Sequence, residues 1–287
     1  MIINWYPGHM AKAKRLIQEN LKIIDVVIEL VDARIPMSST NPMIKSLIGD
    51  KPSVVVLNKA DLADPAVLDE WVAYYKQQGR KVLALNSKGG KGVKQLISLV
   101  RSLAAPKLAR WKARGLKNRA VRTMILGIPN VGKSTLINKL SRRSAAKTAD
   151  KPGETKGKQW VHIGDQLDLL DTPGVLWPKL ENQVSAYRLA ATGAISDTVF
   201  DMETVIMQLI EQLSAQYPDK LKARYKLETL CDKPLDTIEA IGRKRGCIVS
   251  GGVVDLEKTY KLILKEFREG KIGAISLDRL GEWEGED

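Results

Sequence analysis

Runs of apolar, largely β-branched residues bounded by turn residues recur along the first half of the chain. They are IDVVIELVDARIP (24–36), PSVVVLNKAD (52–61), KVLALNSKGG (81–90) and VRTMILGIPN (121–130). Unbroken apolar character is what strands covered on both faces require. Helical patterns lie between them: PAVLDEWVAYYKQQG (65–79) opens on Pro65 and closes on Gly79, and GVKQLISLVRSLA (92–104) follows. Pro at a helix start and Gly just past its end are the expected punctuation. Alternating strands and helices predict an α/β fold, a doubly wound, mostly parallel sheet. GKQWVHIGDQLDLLD (157–171) instead shows two strand-like runs joined at Gly164-Asp165. That is a hairpin signal, so one edge of the sheet is expected to be antiparallel.

Beyond about Trp177 the strand pattern gives way to helical periodicity, in METVIMQLIEQLSAQ (202–216) and LEKTYKLILKEFREG (256–270). A chain of 287 residues is near the size at which single cores stop growing. Two units are therefore expected: 1–178, with an N-terminal segment 1–20, and a smaller all-helical domain, 179–287. The acidic EWEGED (282–287) is expected to be disordered.

Charge changes the picture in one region. Residues 101–160 hold sixteen Lys or Arg against Asp150 and Glu154, a local balance of +14, so the formal excess of +13 lies there and the rest is near neutral. KLARWKARGLKNRAVR (107–122) has no acid at all, and such a field attracts polyanions, RNA above all. No signal-peptide pattern and no apolar run of membrane-spanning length occurs, which predicts a soluble, cytoplasmic protein with no membrane partner. Cys231 and Cys247 lack metal-ligand spacing, so no zinc is expected and both are read as reduced, buried thiols.

The chemistry sits at strand ends. GIPNVGKST (127–135) matches G-x-x-x-x-G-K-[ST] between a strand and a helix, the context a phosphate loop needs. The backbone around Asn130, Val131 and Gly132 would cradle phosphate. Lys133 would reach the β- and γ-phosphates, Ser134 would ligate Mg²⁺ and Thr135 would follow at the helix start. In DTPG (171–174), Asp171 is the metal-side acid and Gly174 meets the γ-phosphate. Thr155, flanked by Gly153 and Gly157, is the candidate switch hydroxyl that joins Mg²⁺ in the triphosphate state. Base choice falls to NKAD (58–61): Asp61 can accept from the guanine ring N–H and amine, with Asn58 and the Lys59 stem framing the ring. Asn86, Ser87 and Lys88 of NSK can turn a backbone N–H toward the guanine carbonyl. GTP and GDP are the nucleotides indicated.

The motif order is permuted. Ordinary GTPases place the phosphate loop first and NKxD last, whereas here NKAD and NSK precede GIPNVGKS and DTPG. Such a permutation leaves a site intact if the old termini lay close together. With WYPGHM (5–10), DARIP (32–36), PGETKGKQW (152–160) and DTPGVLWP (171–178), the chain closely resembles the ribosome biogenesis GTPase A (YlqF) family. That resemblance implies a GTP-hydrolysing factor acting late in large ribosomal subunit assembly, stimulated by the ribosomal particle, with a helical domain contacting ribosomal RNA. A monomer is expected. The alternatives are a GTP-gated RNA-binding module with incidental hydrolysis, and a GTPase acting on tRNA; no cysteine cluster of the kind the latter would use is found.

Val175 stands where Ras-like enzymes carry a water-orienting glutamine, so the chain resembles hydrophobic-substituted GTPases. His9, next to a Pro-Gly turn, can fill that role as a catalytic residue beside Lys133 and Thr155, or can dock RNA with Trp5 and Tyr6. Asn130 resembles the asparagine of potassium-stimulated GTPases, which implies a K⁺ ligand, or it is simply a turn residue. His162 is read as structural, without an acidic partner. In the helical domain, IGRKRG (241–246), Lys222, Arg224 and Lys226 are candidate phosphate contacts.

Overall fold

The computed structural model describes residues 8–115, 119–141, 159–171, 174 and 182–283, with backbone only at 8–13, 159 and 171. The elements run α1 (Gly8–Leu21), β1 (Val26–Asp32), α2 (Pro42–Ile48), β2 (Ser53–Asn58), α3 (Pro65–Gln77), β3 (Lys81–Ala84), α4 (Val93–Ala113), β4 (Val121–Gly127) and α5 (Lys133–Ser141). The hairpin β5 (Gln159–Ile163) and β6 (Leu167–Asp171) follows. Then come α6 (Gln183–Ala191), α7 (Met202–Gln216), α8 (Pro218–Tyr225), α9 (Pro234–Lys244) and α10 (Leu256–Arg268).

The six strands order as β3-β2-β1-β4-β6-β5, parallel throughout except for the β5–β6 edge. Every expected strand is present, and the turn at Gly164 has the positive φ (52°) that the hairpin reading requires. β1 is central, and its alternating side chains feed opposite layers. Val26, Ile28 and Leu30 enter one core with α4 and α5, whereas Val27 joins Ile17, Ile44 and Met124 under α1 and α2. Each fully buried aliphatic side chain contributes ~1.5–3 kcal/mol of transfer free energy, which fixes the strand register against slippage. The first of these cores runs unbroken into the helical region, taking in Leu189 of α6, Ile206 and Leu209 of α7, and Ile263 and Phe267 of α10.

Four expectations change. Helix α4 does not stop near residue 104 but continues through Pro106 to Ala113, because Ala104 and Trp111 extend its buried stripe while the basic side chains remain outside. Gly8 and His9 open α1 rather than sitting in a turn; the His9 side chain and Pro7 lie outside the described residues. The start of the acidic segment is ordered, with residues 284–287 outside the described residues: Glu282 pairs with Arg188 at 2.7 Å, and Leu280 and Trp283 pack on the α3 core around Trp71. Cys247 is buried as expected, but Cys231 is exposed.

A buried node ties this returning segment down. Asp278 accepts from Ser38 N (2.7 Å), Ser38 Oγ (2.6 Å) and Arg188 Nη1 (3.0 Å), and Leu277 N donates to Arg34 O (2.8 Å). Among the described residues no helix is long and apolar enough to cross a membrane.

Candidate nucleotide site

The phosphate-loop residues fill the turn between β4 and α5, directly beyond the carboxyl end of a central strand. Two of them hold left-handed backbone, Asn130 (φ 55°) and Gly132 (φ 102°). At Gly132 the requirement is absolute, since a Cβ there would collide with the Asn58 amide. Lys133, almost wholly buried, donates from Nζ to the carbonyls of Gly127 (3.1 Å) and Ile128 (2.7 Å), so its ammonium is held over the loop. Ser134 is half-buried in the first turn of α5, where the helix dipole favours anions. A Cβ on Gly174 would lie 2.9 Å from Lys133 Nζ and 2.7 Å from the Pro129 backbone, which brings the DTPG glycine directly against the loop.

Asn58 has a structural task beside the one expected of it. Its side chain is fully buried, donating from Nδ2 to Val131 O (2.7 Å) and accepting from Ser87 N (3.1 Å) at Oδ1. It therefore joins the phosphate loop to the NSK segment. Asn86 shapes that segment by accepting from Gly89 N (2.7 Å), and Ser87 is buried within it.

Lys59 takes a left-handed turn (φ 60°) and pairs with Asp32 Oδ2 at 2.9 Å. Asp32 is the register neighbour of Asn58 across β1 and β2, and Arg34 grips it twice, Nε to Oδ1 (2.9 Å) and Nη2 to Oδ2 (2.8 Å). Burial alone would raise the Asp32 pKa, but Arg34 and Lys59 together hold it well below the usual carboxylate range. Burial pushes the Lys59 pKa down, with Arg34 and Arg268 adding to the effect and Asp32 opposing it. Asp32 and Arg34, quoted above only as part of DARIP, are thus the fixed support of the NKAD turn. Their strand-end position beside Asn58 is the signal that could have found them.

One cavity of about 820 Å³ gathers residues of NKAD and NSK with those of the phosphate loop. Asn58, Lys59, Asp61, Asn86, Ser87 and Lys88 form one part of its wall, and Asn130, Gly132 and Thr135 another. Asp61 is exposed there, as a carboxylate must be to receive a ligand. Arg34 and Leu62 add to the wall, and the remainder comes from the helical region, including Gly193, Lys265 and Arg268. Asn130 Nδ2 donates to Gly193 O (2.8 Å), so the phosphate loop is hydrogen-bonded to the end of α6. Sequence reasoning missed this contact, since its two residues lie 63 positions apart with no motif at the second. Thr155, Val175 and the side chains of His9 and Asp171 lie outside the described residues. His162 does have an acidic partner: Nδ1 is 2.6 Å from Oδ1 of Asp168, its register neighbour across the hairpin.

Fold and site define a P-loop GTPase domain whose sequence is circularly permuted, with a helical region closing the nucleotide cavity. Residues 122–235 match a family model described as a 50S ribosome-binding GTPase. The chain is 50% identical over 285 residues to ribosome biogenesis GTPase A of Priestia megaterium, covering 99% of each chain. It is 32% identical over 298 residues to mitochondrial ribosome-associated GTPase 1 of Mus musculus, covering 97% of this chain and 90% of the relative. The crystal structure of GNP-bound YlqF from T. maritima superposes with a TM-score of 0.68 at 28% identity, over 93% of this chain and 98% of that one. This chain belongs to the ribosome biogenesis GTPase A family.

Proposed function

We propose that this protein hydrolyses GTP to GDP and phosphate as an assembly factor. It binds ribosomal RNA in the precursor of the large ribosomal subunit and acts late in that particle's maturation, which stimulates turnover. The observation that carries the reading is the single cavity in which Asp61 and the Asn58-anchored NSK segment face Gly132 and Thr135 of the phosphate loop. Its dimensions and polar wall suit a guanine nucleotide bound from base to phosphate.

Ser134, Thr155 and Asp171 offer the hard oxygen donors that Mg²⁺ prefers, and the packing of Gly174 on Lys133 supports bringing Asp171 toward Ser134. Bound there, the ion would neutralise charge between the β- and γ-phosphates. For K⁺, only Oδ1 of Asn130 can ligate a cation, and the donation of Nδ2 to Gly193 orients that amide. His9, at the second position of α1, either orients the attacking water in place of Val175 or docks RNA.

RNA binding is supported by the exposed end of α4, where Arg110, Lys112 and Arg114 project without an acidic neighbour in their own segment. Trp111 lies beneath two cations, Lys107 (5.3 Å to the ring centroid) and Arg119 (4.1 Å). The division at 178/179 then separates a nucleotide-hydrolysing part from a helical part that senses it. A monomer in the cytoplasm fits this role. The test is GTP turnover measured with and without large-subunit precursor particles. Stimulation is expected, and equal rates would reduce the protein to an RNA-binding module whose hydrolysis is incidental.

A further inference from the structure

We infer that Lys265, on the helical α10, is a nucleotide-binding residue that meets the α-phosphate of the bound guanine nucleotide. The inference rests on the nucleotide reading of the cavity and extends the site to a residue that no motif marks.

Helix α10 lays one stripe on the cavity. Lys261, Leu264, Lys265 and Arg268 line it, at the i, i+3, i+4 and i+7 spacing of a single helix face. The last turn of this helix is held at two points. Gly270, just past the end, packs against Leu62, the residue after Asp61. Arg268 donates from Nε to Ala191 O (3.0 Å) and from Nη2 to Ala190 O (2.8 Å), and lies over Gly193, whose carbonyl receives Asn130. One anchor is thus beside the base-reading carboxylate and the other beside the phosphate loop. A nucleotide stretching from Asp61 to Gly132 and Thr135 passes beneath this turn at its middle, the sugar and first phosphate.

The charges single out Lys265 on that face. Six cations line the cavity, and four of them are already paired: Arg34 and Lys59 with Asp32, Lys261 with Glu257, and Arg268 with Asp197. Lys88 and Lys265 form no ion pair among the described residues; Lys265 feels only the longer-range attraction of Glu269, which itself pairs with Lys271 at 2.7 Å. Lys88 belongs to the NSK segment, so among the described residues Lys265 is the helical region's one cavity-wall cation outside an ion pair. An exposed ammonium on a four-carbon stem facing a phosphate path is a point-charge ligand of the kind lysine supplies.

The experiment titrates the full chain with GDP, GMP and guanosine, comparing wild type, Lys265→Ala, Lys265→Arg and Asp61→Ala, with thermal melting of each nucleotide-free variant as the folding control. Lys265→Ala is expected to weaken GDP and GMP by the same factor, about tenfold for a charge-assisted contact. Guanosine affinity and the melting temperature should stay unchanged, and Lys265→Arg should restore most of the loss. In turnover the effect should fall on KM, leaving kcat unaltered. If Lys265→Ala bound GDP as tightly as wild type while Asp61→Ala lost it, the inference would be overturned and the nucleotide site would stand. A wild-type chain that bound no GDP would overturn both. An equal loss for guanosine and GDP would also overturn it, since the lysine would then act through the fold.

Discussion

The Asn58 side chain lies 2.7 Å from the Val131 carbonyl, and through that bond a strand-end residue from early in the chain sets the position of the phosphate loop. The same amide holds Ser87 N at 3.1 Å. The NKAD turn, the NSK segment and the phosphate loop are therefore parts of one rigid frame.

Asn58→Ala should separate them. Removing the amide strands a buried carbonyl and a buried N–H, at a cost of about 1–3 kcal/mol each. The unfolding free energy from urea titration should fall by that order, and GDP affinity should fall further than stability alone explains.

Asp61→Asn should exchange nucleotide preference. An amide presents a donor where the guanine amine needs an acceptor, and xanthine carries a carbonyl at that ring position. Competition binding is expected to show GDP weakened on the order of a hundredfold, with xanthosine diphosphate gaining.

Gly132→Ala should abolish nucleotide binding and leave the sheet folded. The added methyl meets the Asn58 amide, and φ of 102° is closed to alanine. Calorimetric titration should find no GDP heat, while the far-ultraviolet circular dichroism stays that of wild type.

Arg188→Ala should be the most destabilising of these changes, at ~3–5 kcal/mol, because it leaves Asp278 buried without its ion partner. Glu282 loses its partner too, so limited proteolysis should cut near residue 280 in the variant first.

The Asp32 cluster gives a pH signature. Because its folded pKa is depressed below the ordinary 3.8, ionised Asp32 contributes stability above that value and loses it as the pH falls toward the folded pKa. Urea midpoints for wild type and Asp32→Asn should differ by a constant amount from pH 7 to pH 5 and converge below pH 4. A constant gap down to pH 3 would remove Asp32 as its source.

What could be read from the sequence was local. The strands announced themselves as apolar runs, and 202–216 formed a helix with the limits its periodicity predicted, capped by Asp201. The motifs marked the residues that the cavity gathers. What could not be read depends on distance along the chain: Asp278 with Ser38 is a pairing across 240 positions, and nothing in either local pattern calls for the other. Lys265 and Arg268 look like ordinary solvated charges of an amphipathic helix until α10 is set against Leu62 and Gly193. The His162 partner was recoverable in principle, since placing the hairpin turn at Gly164-Asp165 sets residue 162 opposite residue 168.

The central position of β1 has a consequence for synthesis. β1, β2 and β3 can pair as soon as they emerge, but the other edge of β1 is completed by Thr123–Gly127 only after residues 33–120 have been made. Until then a strand with apolar side chains on both faces presents an open row of backbone donors and acceptors, the form of surface that templates aggregation. Reordering the motifs therefore shifts the vulnerable moment of folding to the interval before the phosphate loop exists. A nascent chain arrested between β3 and β4 should be the species that chaperones capture.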